Sequence, residues 1–166
     1  MFCRLRQLLR TLRPRFRAEE RAWVQTFLPA EAWALFQRQS LPEQRHALDV
    51  AATLSADAAL LPLSERCWLL TAALLHDCGK AQVQIHLKHR ILAVILASLP
   101  HPLSAFWKKH SASARFAWTV HVEHPLWGSR LASEAGLDEP VRRLIFEHHT
   151  PHDRLALLLA QADNRC

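Results

Sequence analysis

The sequence predicts an all-α fold, and three observations carry that prediction. Half of the 166 residues are apolar, enough to build a core within one domain, while only three are glycine, which argues for helices over a turn-rich β architecture. Apolar residues recur with helical spacing, and no stretch shows convincing β alternation, an internal repeat or low complexity. Helix start and stop residues also punctuate the chain at regular intervals, as at Ser40-Leu41-Pro42-Glu43 and Gly136.

In order, residues Met1 to Arg17 alternate arginine with Leu and Phe and predict a basic tail, residues 1–17, before a single helical domain, 18–166. Acid-led helices follow over Ala18 to Leu28 and Pro29 to Gln39, with Trp23, Phe27, Trp33, Leu35 and Phe36 on their apolar faces. Ser40 caps the next, with Glu43 three residues on and Pro42 in its first turn, and this helix runs from about Glu43 to about Leu60. On it His46, Val50, Thr53 and Leu54 share a face, so His46 points to the core side. Leu63-Ser64-Glu65 opens an apolar helix through Trp68 to Leu75 that stops at His76-Asp77-Cys78-Gly79-Lys80, where Gly79 supplies a permissive C-terminal residue. A long helix is expected over Ala81 to Leu99, closed by Pro100 and Pro102. Leu103 to Val120 reads as one or two short helices. His124 to Ala135 forms a helix stopped by Gly136, Asp138 caps Glu139 to His149, and Asp153 to Asn164 makes the last.

The formal charge of +6 lies in the tail: Arg4, Arg6, Arg10, Arg13, Arg15 and Arg17 account for all of it, and the remaining 15 bases match the 15 acids. The body is therefore electrically balanced, and a general nucleic-acid-binding role rests on the tail alone. That tail is suited to an acidic partner or a membrane surface. Four scattered cysteines without a CxxC pair suit reduced thiols. No secretory signal pattern opens the chain, and Ile91 to Leu99 is about half the length a bilayer span needs, so a cytoplasmic protein is expected.

The candidate metal ligands are His46, His76, Asp77, His124, His148, His149 and Asp163, each at a helix end or on an apolar face. Neighbours on a regular helix diverge by about 100°, so His76-Asp77 and His148-His149 converge on one site only near helix ends; Gly79 and Pro151 put both pairs there. Mixed imidazoles and carboxylates suit Mn, Fe, Co, Ni or Zn better than Ca. One or two such ions acidify water and polarise a phosphoryl oxygen. Lys80, three residues past Asp77, is placed to neutralise phosphate charge. Asp153 competes with Asp163 for the late carboxylate, and Asp163 is preferred because an apolar helix delivers it. His121, Arg130 and Arg143 are weaker candidates, while His86, His89, His101, His110 and His152 read as surface or packing residues.

The order His46, then His76-Asp77 within His-Asp-Cys-Gly-Lys, then Asp163 within Gln-Ala-Asp-Asn resembles the metal-binding signature of the HD-domain superfamily of phosphohydrolases, over roughly Pro42 to Cys166. That resemblance implies a single HD-domain-like helical bundle in which His46, His76, Asp77 and Asp163 bind a divalent metal. His124, in His-Pro-Leu-Trp-Gly, and His148-His149 resemble the further ligands of the HD-GYP-like branch, in which Asp77 bridges two metals. The chain has no Gly-Tyr-Pro element and no tyrosine at all, so the cyclic di-GMP hydrolysis tied to that element is not expected. The implied activity is metal-dependent hydrolysis of a phosphomonoester or phosphodiester, in a nucleotide or related small molecule, with Asp77 and Lys80 as catalytic residues. The alternative is a non-catalytic, metal-containing regulatory module that binds a nucleotide or partner.

Overall fold

The computed structural model describes residues 16–166, all of it helical or irregular, with no strand among the described residues. Residues 1–15 of the expected basic tail lie outside the described residues; Phe16 rests on Phe36, ring centroids 6.1 Å apart. The helices are α1 (Ala18–Phe27), α2 (Ala30–Arg38), α3 (Leu41–Ala58), α4 (Leu63–Leu75), α5 (Leu87–Ser98), α6 (His101–His110), α7 (Ala112–Glu134), α8 (Glu139–Glu147) and α9 (Arg154–Arg165), with a 3-10 turn over Cys78–Gln82.

Helix α4 is the axis of the domain, because every residue from Leu69 to Leu75 is buried. Helices α3, α8 and α9 pack around it, and α7 packs on α8, on the 3-10 turn and on α5. The start of α3 is the capping box expected there: Glu43 accepts from the Ser40 backbone N–H at 3.1 Å and from its hydroxyl at 2.7 Å. Helix α4 ends at Leu75, and its last carbonyls are not left bare: Gln39 donates its side-chain N–H to the Leu74 carbonyl at 2.9 Å.

Two expected elements take a different form. The helix anticipated over Ala81 to Leu99 begins only at Leu87, since Val83 is extended (φ −136°, ψ 152°) and His86 is the cap (φ −83°, ψ 157°). The β-branched Val83 and Ile85, alternating with glutamines, favour that extended link. The helix anticipated from His124 is instead the second half of the 23-residue α7, with Pro125 inside it. Ser111 starts α7 by accepting from the Ala114 N–H at 3.2 Å. Ala117, Val120, His124, Gly128 and Leu131 then form one buried stripe at spacings of three and four, whose burial outweighs the one hydrogen bond the proline removes.

The glycines also divide their tasks. Gly136 is the only described residue with positive φ, 68°, and it closes α7 in a Schellman motif, with Leu137 N–H to the Ala132 carbonyl and Gly136 N–H to the Ser133 carbonyl, both 3.0 Å. Gly79 serves differently from the permissive C-terminal residue expected: a β-carbon there would lie 2.1 Å from the His124 carbonyl oxygen and 2.6 Å from the Gly128 nitrogen. Its missing side chain lets the turn after α4 press on the backbone of α7.

Gly79→Ala is therefore expected to lower the urea unfolding free energy by about 3 kcal/mol or more, because the collision is with backbone that cannot rotate away. Gly136→Ala, which meets nothing within 4 Å, should cost only the left-handed strain of about 1–2 kcal/mol. Equal costs would show that the close approach at Gly79 is not what positions the turn.

Candidate metal centre

The centre forms where the ends of α4 and α8 meet the middle of α7 and inward faces of α3 and α9. His76 and His148 are the residues immediately after α4 and α8, still near helical backbone (φ −55°, ψ −31° and φ −61°, ψ −22°). Each ring folds back onto its own helix: His76 Nδ1–H donates to the Ala73 carbonyl at 2.9 Å, and His148 Nδ1–H to the Ile145 carbonyl at 2.7 Å. On α7, His124 Nδ1–H donates to the Val120 carbonyl at 2.9 Å. All three rings are buried. A carbonyl accepts only, so each Nδ1 carries a proton, and each ring turns its Nε2 toward the centre.

Those Nε2 atoms converge on one another and on two carboxylates. His124 Nε2 lies 3.2 Å from His148 Nε2 and 3.2 Å from Asp77 Oδ1. His76 Nε2 has no hydrogen-bond partner and sits 3.8 Å from Asp77 Oδ2 and 3.7 Å from Asp163 Oδ1. Two donors held about 2.1 Å from one tetrahedral ion lie roughly 3.4 Å apart, so the spacings are those of neighbouring ligands. The donor atoms fall into two groups within 4.8 Å, His46 with His76 and Asp77, and His124 with His148 and His149. Asp77 stands between them, one oxygen directed to each. The residues present thus fit divalent metal.

Electrostatics supports the same division. Burial pushes the Asp77 carboxyl up, but Lys80, with Nζ 2.7 Å from Oδ2, and the His76 and His124 rings hold it well below the usual carboxylate range. Burial pushes His76 down, and burial with the neighbouring rings of His76, His124 and His149 pushes His148 far down, so both stay neutral. Burial and the His124 and His121 rings lower His149 to about 4. His46 differs. Its Nε2 donates to Asp163 Oδ1 at 2.7 Å, and although burial opposes charge, that carboxylate raises its pKa while Asp163 is lowered in turn.

All seven residues read as ligands therefore lie around one centre. His124 reaches it from mid-helix rather than from the helix start expected. Asp153 is elsewhere, capping α9 through the Ala156 N–H at 2.8 Å and pairing with Arg143, and Arg143 also pairs with Glu147 at 3.3 Å. His121, a weaker candidate, has its ring 4.8 Å from that of His149 and its pKa lowered to about 4, chiefly by burial and then by His124. Arg90 was missed; it pairs with the buried Glu43 at 2.9 Å and donates to Ser40 at 3.1 Å, tying α5 to the start of α3, and its only local signal was an arginine just before the apolar run Ile91 to Ala97. His89, read as a surface or packing residue, lines the cleft beside the centre and packs on Phe116, ring centroids 4.8 Å apart. That cleft has a volume of about 570 Å³ and is lined by polar groups, among them Asp77, Lys80, His121, His149 and Asp163, and by apolar ones, among them Ile85, Ile91, Val94, Ala117 and Val120.

Fold and centre define a class: an all-helical domain whose helix ends gather imidazoles and carboxylates suited to divalent metal. The profile of the HD domain matches residues 44–165, and the chain belongs to the HD domain family, whose members bind divalent metals and are typically metal-dependent phosphohydrolases. That match identifies the family and no branch within it. No curated protein and no solved structure matches the chain. Among the described residues, no helix is long and apolar enough to cross a membrane.

As a ligand, His46 must surrender the proton it donates to Asp163. Zn²⁺ titration followed by calorimetry in buffers of different ionisation heat should show proton release near neutral pH, and affinity should fall as pH drops through the raised His46 pKa. Zn²⁺ binding without proton release, or affinity flat with pH, would remove His46 from the ligand set.

Proposed function

We propose that the chain is a metal-dependent phosphohydrolase acting on a phosphomonoester or phosphodiester of a nucleotide or similar small molecule. The observation that carries this reading is the Asp77 carboxylate, buried at the head of the cleft, with one oxygen directed to His124 and the other to His76 and Lys80. His46, His76, Asp77 and Asp163 on one side, and Asp77, His124, His148 and His149 on the other, would hold divalent metal, which would supply acidified water and withdraw charge from phosphoryl oxygens.

The chain's own groups do the rest. Lys80 keeps Asp77 ionised and places an ammonium beside the centre, where charge on the phosphoryl oxygens is neutralised as it grows. Its own pKa is raised, since Asp77 and Glu43 outweigh the cost of burial, so it remains a cation. His121 and His149, neutral at pH 7, offer hydrogen bonds at the cleft edge without repelling or attracting net charge. The wall of Ile85, Ile91, Val94, Ala117 and Val120 takes the organic part of the substrate and limits water there. A cleft of about 570 Å³ lies within the range of small-molecule sites and matches a nucleotide better than a polymer.

The test is a panel of nucleotides and aryl phosphate mono- and diesters with Mn²⁺, Fe²⁺, Co²⁺, Ni²⁺ or Zn²⁺. Turnover is expected with at least one metal, and Asp77→Ala should lose both metal and turnover. Lys80→Met should retain metal while kcat falls about 10²–10³-fold, the scale of losing one charge-stabilising group. Tight ligand binding without turnover across the panel would favour the regulatory-module reading, and turnover in metal-free protein would overturn the proposal.

A further inference from the structure

Helices α5 and α6 are built the wrong way out for a soluble bundle. Each buries a single residue, Leu96 in α5 and Ser104 in α6. Their apolar stripes face outward instead. Leu87, Ile91, Val94 and Ile95 are exposed at spacings of four, three and one along α5, and Leu103, Phe106 and Trp107 at spacings of three and one along α6, each of these three at least half exposed. The α5 stripe is partly accounted for, because Ile91, Val94 and Ile95 line the cleft. Leu103, Phe106 and Trp107 are not among the residues of the cleft, and the mechanism uses none of them.

The charge around this face is one-sided. From Cys78 to Val122 the chain contains no aspartate or glutamate, against six lysines and arginines. Lys80 and Arg90 are engaged with Asp77 and Glu43, whereas Lys88, Lys109 and Arg115 are exposed. Lys108 lies over the Trp118 ring, 4.1 Å from its centroid. Lysines in the last turn of α6 complement the helix dipole, but that does not explain three large apolar neighbours in water. Aromatic and aliphatic side chains flanked by lysines on one helical stripe are the pattern of a segment lying in a bilayer interface, where rings sit at headgroup depth and lysines meet lipid phosphates.

We infer that the outer face of α6, with Leu103, Phe106 and Trp107 as the inserting residues and Lys109 beside them, docks this protein on an anionic lipid surface. The inference does not rest on catalysis. It is distinct from any role of the basic tail, which carries its own arginines.

The experiment is co-sedimentation of the full chain with vesicles of phosphatidylcholine alone and of phosphatidylcholine mixed with phosphatidylglycerol. Binding is expected to the anionic vesicles and weakly to the neutral ones, and to fall as salt rises. Leu103→Ser/Phe106→Ser should reduce partitioning about tenfold or more while leaving the helical circular dichroism and thermal midpoint near those of the parent, since both side chains are already exposed. Lys109→Glu, which removes no apolar surface, should weaken binding at low salt and matter little at high salt. Undiminished binding of the double variant would assign the membrane contact to the tail and overturn the inference. So would absent vesicle binding, whether the double variant instead abolished self-association in sedimentation or abolished binding to a single-stranded polynucleotide.

Discussion

Everything at the centre depends on where the imidazole protons are. A helix leaves its last carbonyls without partners, and in this protein two of those ends, at α4 and α8, are each supplied with a donor by the histidine that follows. His76 and His148 satisfy Ala73 and Ile145, and His124 does the same for Val120 inside α7. One hydrogen bond per ring sets its direction, and three Nε2 atoms and two carboxylates then face one another at the centre. That arrangement suits a divalent cation. Helix-end chemistry and metal-site chemistry are here a single constraint.

The rest of the architecture serves to bring those ends together. Gly79 lets the turn after α4 lie against α7, so that Asp77 reaches His124. A second close approach reinforces it, since a β-carbon on Gly128 would meet Ile145 at 3.0 Å and Gly79 at 3.3 Å. Cys78 fills the seam with its thiol toward the Gly128 carbonyl, pushed up to about 12 by burial and then by Asp77, so it packs as a small apolar group and not as a ligand. On the far side, the Arg90 to Glu43 pair secures α5 as the apolar wall of the cleft.

Much of this is legible in the chain. Ser40 and Glu43 announce α3, the apolar run to Leu75 announces α4, and Gly136 marks the end of α7, because caps and stops act locally. His76-Asp77 and His148-His149 are readable as one site because adjacent residues converge only where helices end. The misplaced elements have the opposite character. His124 sits in mid-helix because a buried stripe from Ala117 to Leu131 overrides Pro125, and α5 starts late because the chain is extended at Val83 and at its cap, His86. Gly79 looks like a backbone-conformation glycine and is a close-contact glycine. Arg90, His89 and His121 become part of the site only through contacts between helices distant in sequence, which no local pattern encodes.

The most direct measurement is anomalous diffraction at the absorption edge of the metal carried by the purified protein. The account predicts density bonded to His76 Nε2 and to Asp77, with His124 and His148 Nε2 directed at metal on the other side of the same carboxylate. An ion bound through the Nδ1 atoms, or crystals whose only anomalous peaks lie away from Asp77, would contradict it.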